Sequence, residues 1–244
     1  MLEDVFFIAD AHLGAEPEER ERSRAARLHS FLESLEGRAA RLVIAGDLFD
    51  FWFEYRTAIP KRHFATLLAL QRLIRAGVPI TYMNGNHDFY LGRFLAEEIG
   101  VTIHDGPLPV AAQDRRVWVH HGDGLIGGDV GYRVLKRVLR HPASIGLYRW
   151  LHPDLGIPLA HGVSGTSRHA RDPEKFPVDR LWHEVAEPRF AEGYDSVVIG
   201  HFHLAIDRHE GAHQLVVLGD WIDKFTYGVL RGGRLTLETW AAPA

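Results

Sequence analysis

Five times along this chain a run of apolar residues stops at a short segment of Asp, His or Asn. The segments are Asp10-Ala11-His12, Gly46-Asp47-Leu48-Phe49-Asp50, Gly85-Asn86-His87-Asp88, His120-His121-Gly122-Asp123 and Gly200-His201-Phe202-His203. The runs before them are Val5 to Ala9, Leu42 to Ala45, Val78 to Met83, Arg116 to Val119 and Ser196 to Ile199. A short apolar run bounded by turn residues reads as a strand buried on both faces. Ligand-binding groups in open α/β sheets collect at the carboxyl ends of strands. Five such ends bearing metal-ligand side chains therefore converge on one place.

The intervening sequence supports that architecture. Residues 21–36 predict a helix with Ala26, Leu28, Phe31, Leu32 and Leu35 near helical spacing. A second helix is predicted over His63 to Arg75, ended by Gly77. Strand and helix alternate, so the chain reads as βαβ units around a largely parallel sheet. Further strands are expected at Gln214 to Leu218 and Arg234 to Glu238. Together with Phe225 to Leu230, before the turn at Gly232-Gly233, these are expected to run antiparallel. From residue 126 to residue 188 the pattern changes to helices and Pro-containing turns. The expected organisation is an α/β core of residues 1–125 and 189–244 with a helical cap insertion, 126–188. No stretch is apolar for 18 residues, and the run at Val5 is too short for a signal peptide or a membrane span. A cytoplasmic protein is expected.

The chain has no cysteine, so thiolate metal sites are excluded and any metal must be held by nitrogen and oxygen. Two cations roughly 3.5–4 Å apart repel, so a carboxylate bridging both is valuable. A short Asp on a tight turn suits that task, and Gly46 lets the backbone approach. Asp-x-His and His-x-His place both side chains on one side of extended backbone, so each pair addresses one site. Taken singly, each segment is common, and a lone Asp at a strand end is usually a turn or cap residue. The ordered set of five is what carries the reading. His121 is preferred to His120 as a ligand because it directly precedes Gly122-Asp123, leaving His120 as a strand residue. His29, His63, His141 and His213 are expected on solvated faces. The formal net charge of −4 argues against broad nucleic-acid binding.

This ordered set resembles the calcineurin-like metallophosphoesterases over essentially the whole chain. The resemblance implies an α/β sandwich core and two divalent ions. By that resemblance, Asp10, His12, Asp47 and His203 hold the first ion. Asp47 bridges to the second, which Asn86, His121 and His201 complete. His87 stabilises charge on the phosphoryl oxygen or protonates the leaving group, and Asp88 orients it. Manganese is the expected metal, with iron, magnesium and zinc as alternatives.

Three further stretches bear on the substrate. Phe49 to Tyr55 holds five aromatic residues, more than one buried face needs, so part of it is expected to line a pocket or an acyl groove. Arg133, Lys136, Arg137 and Arg140 fall at helical spacing opposite Val134, Leu135, Val138 and Leu139. This is either a solvated face on a core-packed helix or a basic face for an anionic head group or membrane surface. Ser167, Arg168, His169 and Arg171 suit phosphate contacts. Asp129 and Tyr132 after His121-Gly122-Asp123-Gly124-Leu125, and Leu218-Gly219-Asp220-Trp221 near the end, are similar to the UDP-2,3-diacylglucosamine hydrolases of lipid A synthesis. That resemblance implies attack on the α-phosphorus of a nucleotide-lipid substrate, giving UMP and an acylated sugar 1-phosphate. Asn86, His87, Asp129, Tyr132, Arg133, Arg137, Ser167 and Arg168 are the implied substrate contacts. The enzyme is expected on the inner face of the inner membrane as a peripheral protein, with no nucleic-acid partner and no protein partner suggested. One departure is that the best-known branch has Arg where this chain has His87. Arg only stabilises charge, whereas His also transfers a proton near neutral pH. A soluble phosphodiesterase or nucleotide pyrophosphatase, and a metal-binding scaffold on the same fold, stay open at this point.

Overall fold

The structure is a computed structural model that describes residues 3–126, 137–156 and 178–241. Two sheets stack face to face. The first has the order β11-β10-β1-β2-β3-β4, from Arg234–Thr239, Thr226–Arg231, Asp4–Ile8, Ala39–Ile44, Ile80–Met83 and Thr102–His104. The second has the order β5-β6-β7-β9-β8, from Leu108–Ala112, Arg115–His120, Ser196–Ile199, His213–Leu218 and Ala205–Glu210. Strands β1 to β4 are mutually parallel, as are β6, β7 and β9, and antiparallel strands flank each set.

The apolar runs are continuous because both faces of these strands are covered. Side chains alternate along β1: Val5, Phe7 and Ala9 enter the layer between the sheets, and Phe6 and Ile8 enter the layer under the helices. Helices α1 (Glu18–Ser34) and α2 (Phe64–Arg75) close that outer layer through Leu28, Phe31, Leu32, Leu67, Leu70 and Leu73. On the second sheet, Val198 faces inward, while Val197 and Ile199 meet Leu181, Trp182 and Val185 of a helical stretch over 178–191. Phe31 holds α1 to the closing strands, with ring centroids 4.8 Å from both Trp221 and Tyr227 and 5.5 Å from Trp240. Phe31→Ala is expected to cost about 3–5 kcal/mol of unfolding free energy, measurable by urea denaturation.

Several expectations are corrected. Strand β9 lies in the second sheet, parallel to β7, and does not join the antiparallel pair β10 and β11. Strands β4 and β8 carry too few apolar residues to stand out in the sequence, and β5 is interrupted by Pro109 and ends in two alanines, all poor strand formers. His63 is buried rather than solvated, its ring 4.5 Å from that of Phe49. The aromatic stretch is packed throughout. Phe49 and Trp52 belong to the layer under the helices, and Phe51, Phe53 and Tyr55 form a separate cluster with Tyr90, Ile145 and Tyr148. That cluster joins the 137–156 region to the core. Val138 and Leu139 are exposed at 54% and 42%, so they do not form a core-packed helix side.

Candidate metal centre

The parallel strands of both sheets deliver their carboxyl ends to one edge. Asp10 and His12 follow β1, Asp47 follows β2, Asn86 and His87 follow β3, His121 follows β6, and His201 and His203 follow β7. All seven expected metal ligands and His87 meet there. Three overlapping groups have ligand atoms within 4.8 Å of one another: Asp10, His12 and His203; His12, Asp47 and His87; and Asp47, His121 and His201.

Asp47 is central. Its Oδ1 accepts the backbone N–H of His87 at 2.9 Å. Its Oδ2 lies 3.7 Å from His12 Nε2 and 3.3 Å from His121 Nε2. Gly85 makes this approach feasible, since a Cβ there would overlap Asp47 Oδ1 and sit 2.5 Å from the Asp47 nitrogen. A Cβ on Gly46 would sit 2.5 Å from His121 Nδ1. The backbone is bent at the ligands themselves. Asp10, His12, Asp47, His201 and His203 all have positive φ, between 43° and 71°, a region that side chains other than glycine seldom occupy. Such strain clusters at functional sites.

The donor set fits a cation. His121 Nδ1 lies 2.8 Å from the Ala45 carbonyl, which can only accept, so Nδ1 carries the hydrogen. In the neutral ring Nε2 then presents a lone pair toward Asp47 Oδ2 and Asn86 Oδ1, the latter at 2.9 Å. Three acceptor atoms face one another there, as they would around a positive ion. Asp10 Oδ1 and both ring nitrogens of His12 are buried without a hydrogen-bond partner. Burial alone favours neutral imidazoles. The surrounding carboxylates outweigh it and push His12 up to about 9 and His121 up to about 10. Asp47 is opposed by its own burial, yet His121, His87 and His12 hold it well below the usual carboxylate range. Protons on the histidines thus stand where the carboxylates would hold a cation.

Two buried acids were not singled out as site residues from the sequence. Asp50 Oδ1 lies 3.6 Å from His12 Nδ1 and 3.5 Å from His87 Nδ1, and its backbone carbonyl is 3.2 Å from His87 Nδ1. Asp50, not Asp88, therefore sets the ring of His87. Asp88 accepts the backbone N–H groups of Asp47, Phe49 and Gly85 and the hydroxyl of Tyr82. It ties together the two loops that present Asp47 and His87, correcting the expected role. Burial and the neighbouring Asp47 charge raise Asp88 to about 6. Asp220, after β9, lies 3.7 Å from His203 Nδ1 and accepts the N–H groups of Ile222, Asp223 and Lys224 as well as Lys224 Nζ. These donors and His203 outweigh burial and lower its pKa. The sequential Leu218-Gly219-Asp220-Trp221 segment was the available signal for it. Asp220→Asn is expected to weaken divalent-ion binding about 10–100-fold, the scale typical of groups that orient a ligating histidine. Calorimetric titration of metal-free protein checks this.

A family model described as calcineurin-like phosphoesterase matches residues 4–205. The chain belongs to the calcineurin-like phosphoesterase family. It is a metal-dependent phosphoesterase, and the three residue groups above are its candidate sites for divalent metal. Among relatives of this phosphoesterase is the UDP-2,3-diacylglucosamine hydrolase of Porphyromonas gingivalis, 30% identical over 261 residues and covering 98% of each chain. The protein of that name from Pseudomonas putida strain F1 is 32% identical over 227 residues, covering 89% of this chain and 90% of its own. The one from Chromobacterium violaceum is 29% identical over 245 residues, covering 96% and 94%.

Of the expected substrate contacts, Asn86 and His87 lie in the cluster, and Arg137 is exposed. Asp129, Tyr132, Arg133, Ser167 and Arg168 lie outside the described residues. Arg140 was not among the expected contacts, yet its Nη2 donates to the carbonyl of Gly85 at 2.9 Å. The 137–156 region therefore touches the loop that carries Asn86 and His87.

Proposed function

We propose that this phosphoesterase hydrolyses the pyrophosphate of UDP-2,3-diacylglucosamine to UMP and 2,3-diacylglucosamine 1-phosphate, a step of lipid A synthesis, using two manganese ions. The observation that carries the two-ion reading is the position of Asp47 Oδ2 between His12 and His121, shared by two of the ligand groups. Asp10, His12, Asp47 and His203 would hold one ion, and Asp47, Asn86, His121 and His201 the other. When bound, such ions supply Lewis acidity and a water acidic enough to attack phosphorus near neutral pH. The chain's own residues do the rest. Asp47 Oδ2 faces both His12 and His121 while Oδ1 holds the His87 backbone. The Ala45 carbonyl fixes the tautomer of His121. His87 is depressed by burial, against the charges of Asp47 and Asp50, so it waits as a neutral ring. An arriving pyrophosphate anion favours its protonated form. It then stabilises the charge on a phosphoryl oxygen and gives its proton to the leaving group.

Full-length likeness to relatives named for this substrate supports the nucleotide-lipid assignment. The surface supports it independently. Of the six large hydrophobic side chains exposed among the described residues, Val138, Leu139, Leu147, Trp150 and Leu155 lie within 137–156. Arg140 and Arg149 anchor this stretch beside the site, the latter through Tyr90. An apolar surface next to a phosphoesterase centre suits acyl chains and a membrane face. No helix among the described residues is long and apolar enough to cross a membrane. The exposed apolar side chains of 137–156 and a lipid-bearing substrate are the grounds for the proposed location, the cytoplasmic surface of the inner membrane with the protein attached peripherally.

The test is manganese-dependent release of UMP from UDP-2,3-diacylglucosamine, run beside a deacylated UDP-sugar. Strong preference for the acylated compound is expected. Equal or faster turnover of the deacylated one overturns the lipid assignment and makes the enzyme a soluble nucleotide pyrophosphatase.

A further inference from the structure

Arg24 lies in the second turn of α1, outside the ligand cluster, and is only 8% exposed, an uncommon state for a charged residue. Its Nη2 donates to the carbonyl of Ala11 at 2.6 Å. Glu21, one turn earlier, stands 3.8 Å from Nη1 and is its one acidic neighbour within ion-pair distance among the described residues. Glu21 also accepts the N–H of Gly14 at 2.7 Å and that of Glu16 at 3.4 Å. Helix α1 therefore grips the first ligand loop at two points, on either side of His12.

The grip on Ala11 differs from every other along that loop. The carbonyls of Asp10, His12 and Leu13 accept backbone N–H groups, from Trp221 at 3.1 Å, Ala15 at 3.1 Å and Asp50 at 3.0 Å. Ala11 alone is held by a side chain. Its carbonyl belongs to the peptide plane that joins Ala11 to His12, so the orientation of that plane sets φ of His12. This φ is 43°, in the left-handed region, and Asp10 on the other side of Ala11 is left-handed too at 56°. A histidine there relaxes toward ordinary conformations unless its surroundings fix it. A buried guanidinium contributes little to stability compared with an apolar side chain of the same volume. The single N–H that it directs at Ala11 does hold that carbonyl in a defined direction.

We infer that Arg24 is a positioning residue: by fixing the Ala11–His12 peptide it holds Asp10 and His12 in the geometry of the first ion site. This rests on the two-ion reading above. Arg24 acts directly on Asp10 and His12, the two residues of the first ion site that this loop carries.

The experiment is manganese titration of metal-free wild type, Arg24→Met, Arg24→Lys and Phe31→Ala, by calorimetry with electron paramagnetic resonance of the bound ions. Phe31→Ala lowers stability and reaches the loop only at one remove, through Trp221, so it controls for a general loss of structure. Wild type is expected to bind two ions. Arg24→Met is expected to bind one of them about 10–100-fold more weakly and to lose the spectral coupling between ions at substoichiometric metal. Its kcat falls while KM holds. Arg24→Lys, which still offers a donor to Ala11, recovers part of both, and it carries the test if Arg24→Met does not fold. Wild type that binds no divalent ion overturns the two-ion reading itself. Two ions bound normally by wild type and equally well by folded Arg24→Met overturn only the role of Arg24, as does an equal loss in Phe31→Ala.

Discussion

Asp47→Ala is expected to lower turnover by about 10³–10⁴-fold and to leave the protein unable to retain a full complement of metal. Asp47 is the one carboxylate common to two ligand groups, and its Oδ2 faces both His12 and His121. Metal-ion catalysis contributes several kcal/mol of transition-state stabilisation, and each ~1.4 kcal/mol is a factor of ten in rate. Removing the carboxylate also frees Oδ1's partner, the His87 backbone N–H, so the second loop loses its register. The measurement pairs turnover with metal content by elemental analysis after gel filtration, and circular dichroism confirms folding. A folded Asp47→Ala protein with near-normal activity removes the bridging assignment.

His87→Ala separates binding from chemistry. It is expected to retain both ions and to lose about 10²–10⁴-fold in kcat, the usual contribution of a positioned proton donor. The basis is that His87 turns Nδ1 to the Asp50 carbonyl, while His12 with Asp10 and His203, and Asp47 with His121 and His201, form ligand groups that do not need it. His87→Arg is the informative companion. Recovery of rate by Arg would mean that charge alone matters at this position, whereas recovery by neither points to proton transfer. Loss of an ion in His87→Ala would show that His87 is a ligand, as its grouping with His12 and Asp47 also permits.

The cluster was legible in the sequence because its chemistry is written in short local segments. Each ligand sits within a few residues of an apolar run, and buried parallel strands announce themselves by such runs. What escaped was either weakly patterned or distant. Strand β8, Ala205–Glu210, is mostly charged and solvated, so its alternation is faint. Two sheets rather than one could not be read from alternation alone, since β9 and β10 are neighbours in sequence but partners of different strands. Asp50, not Asp88, meets His87 because both Asp88 oxygens are taken by the N–H groups of Asp47, Phe49 and Gly85 and the Tyr82 hydroxyl, contacts between distant loops that the sequence does not display. Arg24 and Glu21 look like an ordinary charged turn of an amphipathic helix. Only the fold reveals that they face inward onto the Ala11 and Gly14 backbone.

The five left-handed residues of the candidate metal centre carry a consequence for how this protein evolves. Each such conformation costs of order 1–3 kcal/mol, while an entire domain is stable by only about 5–15 kcal/mol. Asp10, His12, Asp47, His201 and His203 together therefore hold a large share of the margin on which the fold survives. Variants chosen purely for heat resistance, with no demand for turnover, should accumulate glycine or asparagine at these positions before they alter the sheets. The catalytic edge is thus the first part of the molecule that relaxed selection erodes, and its persistence in a lineage records continued demand for the reaction.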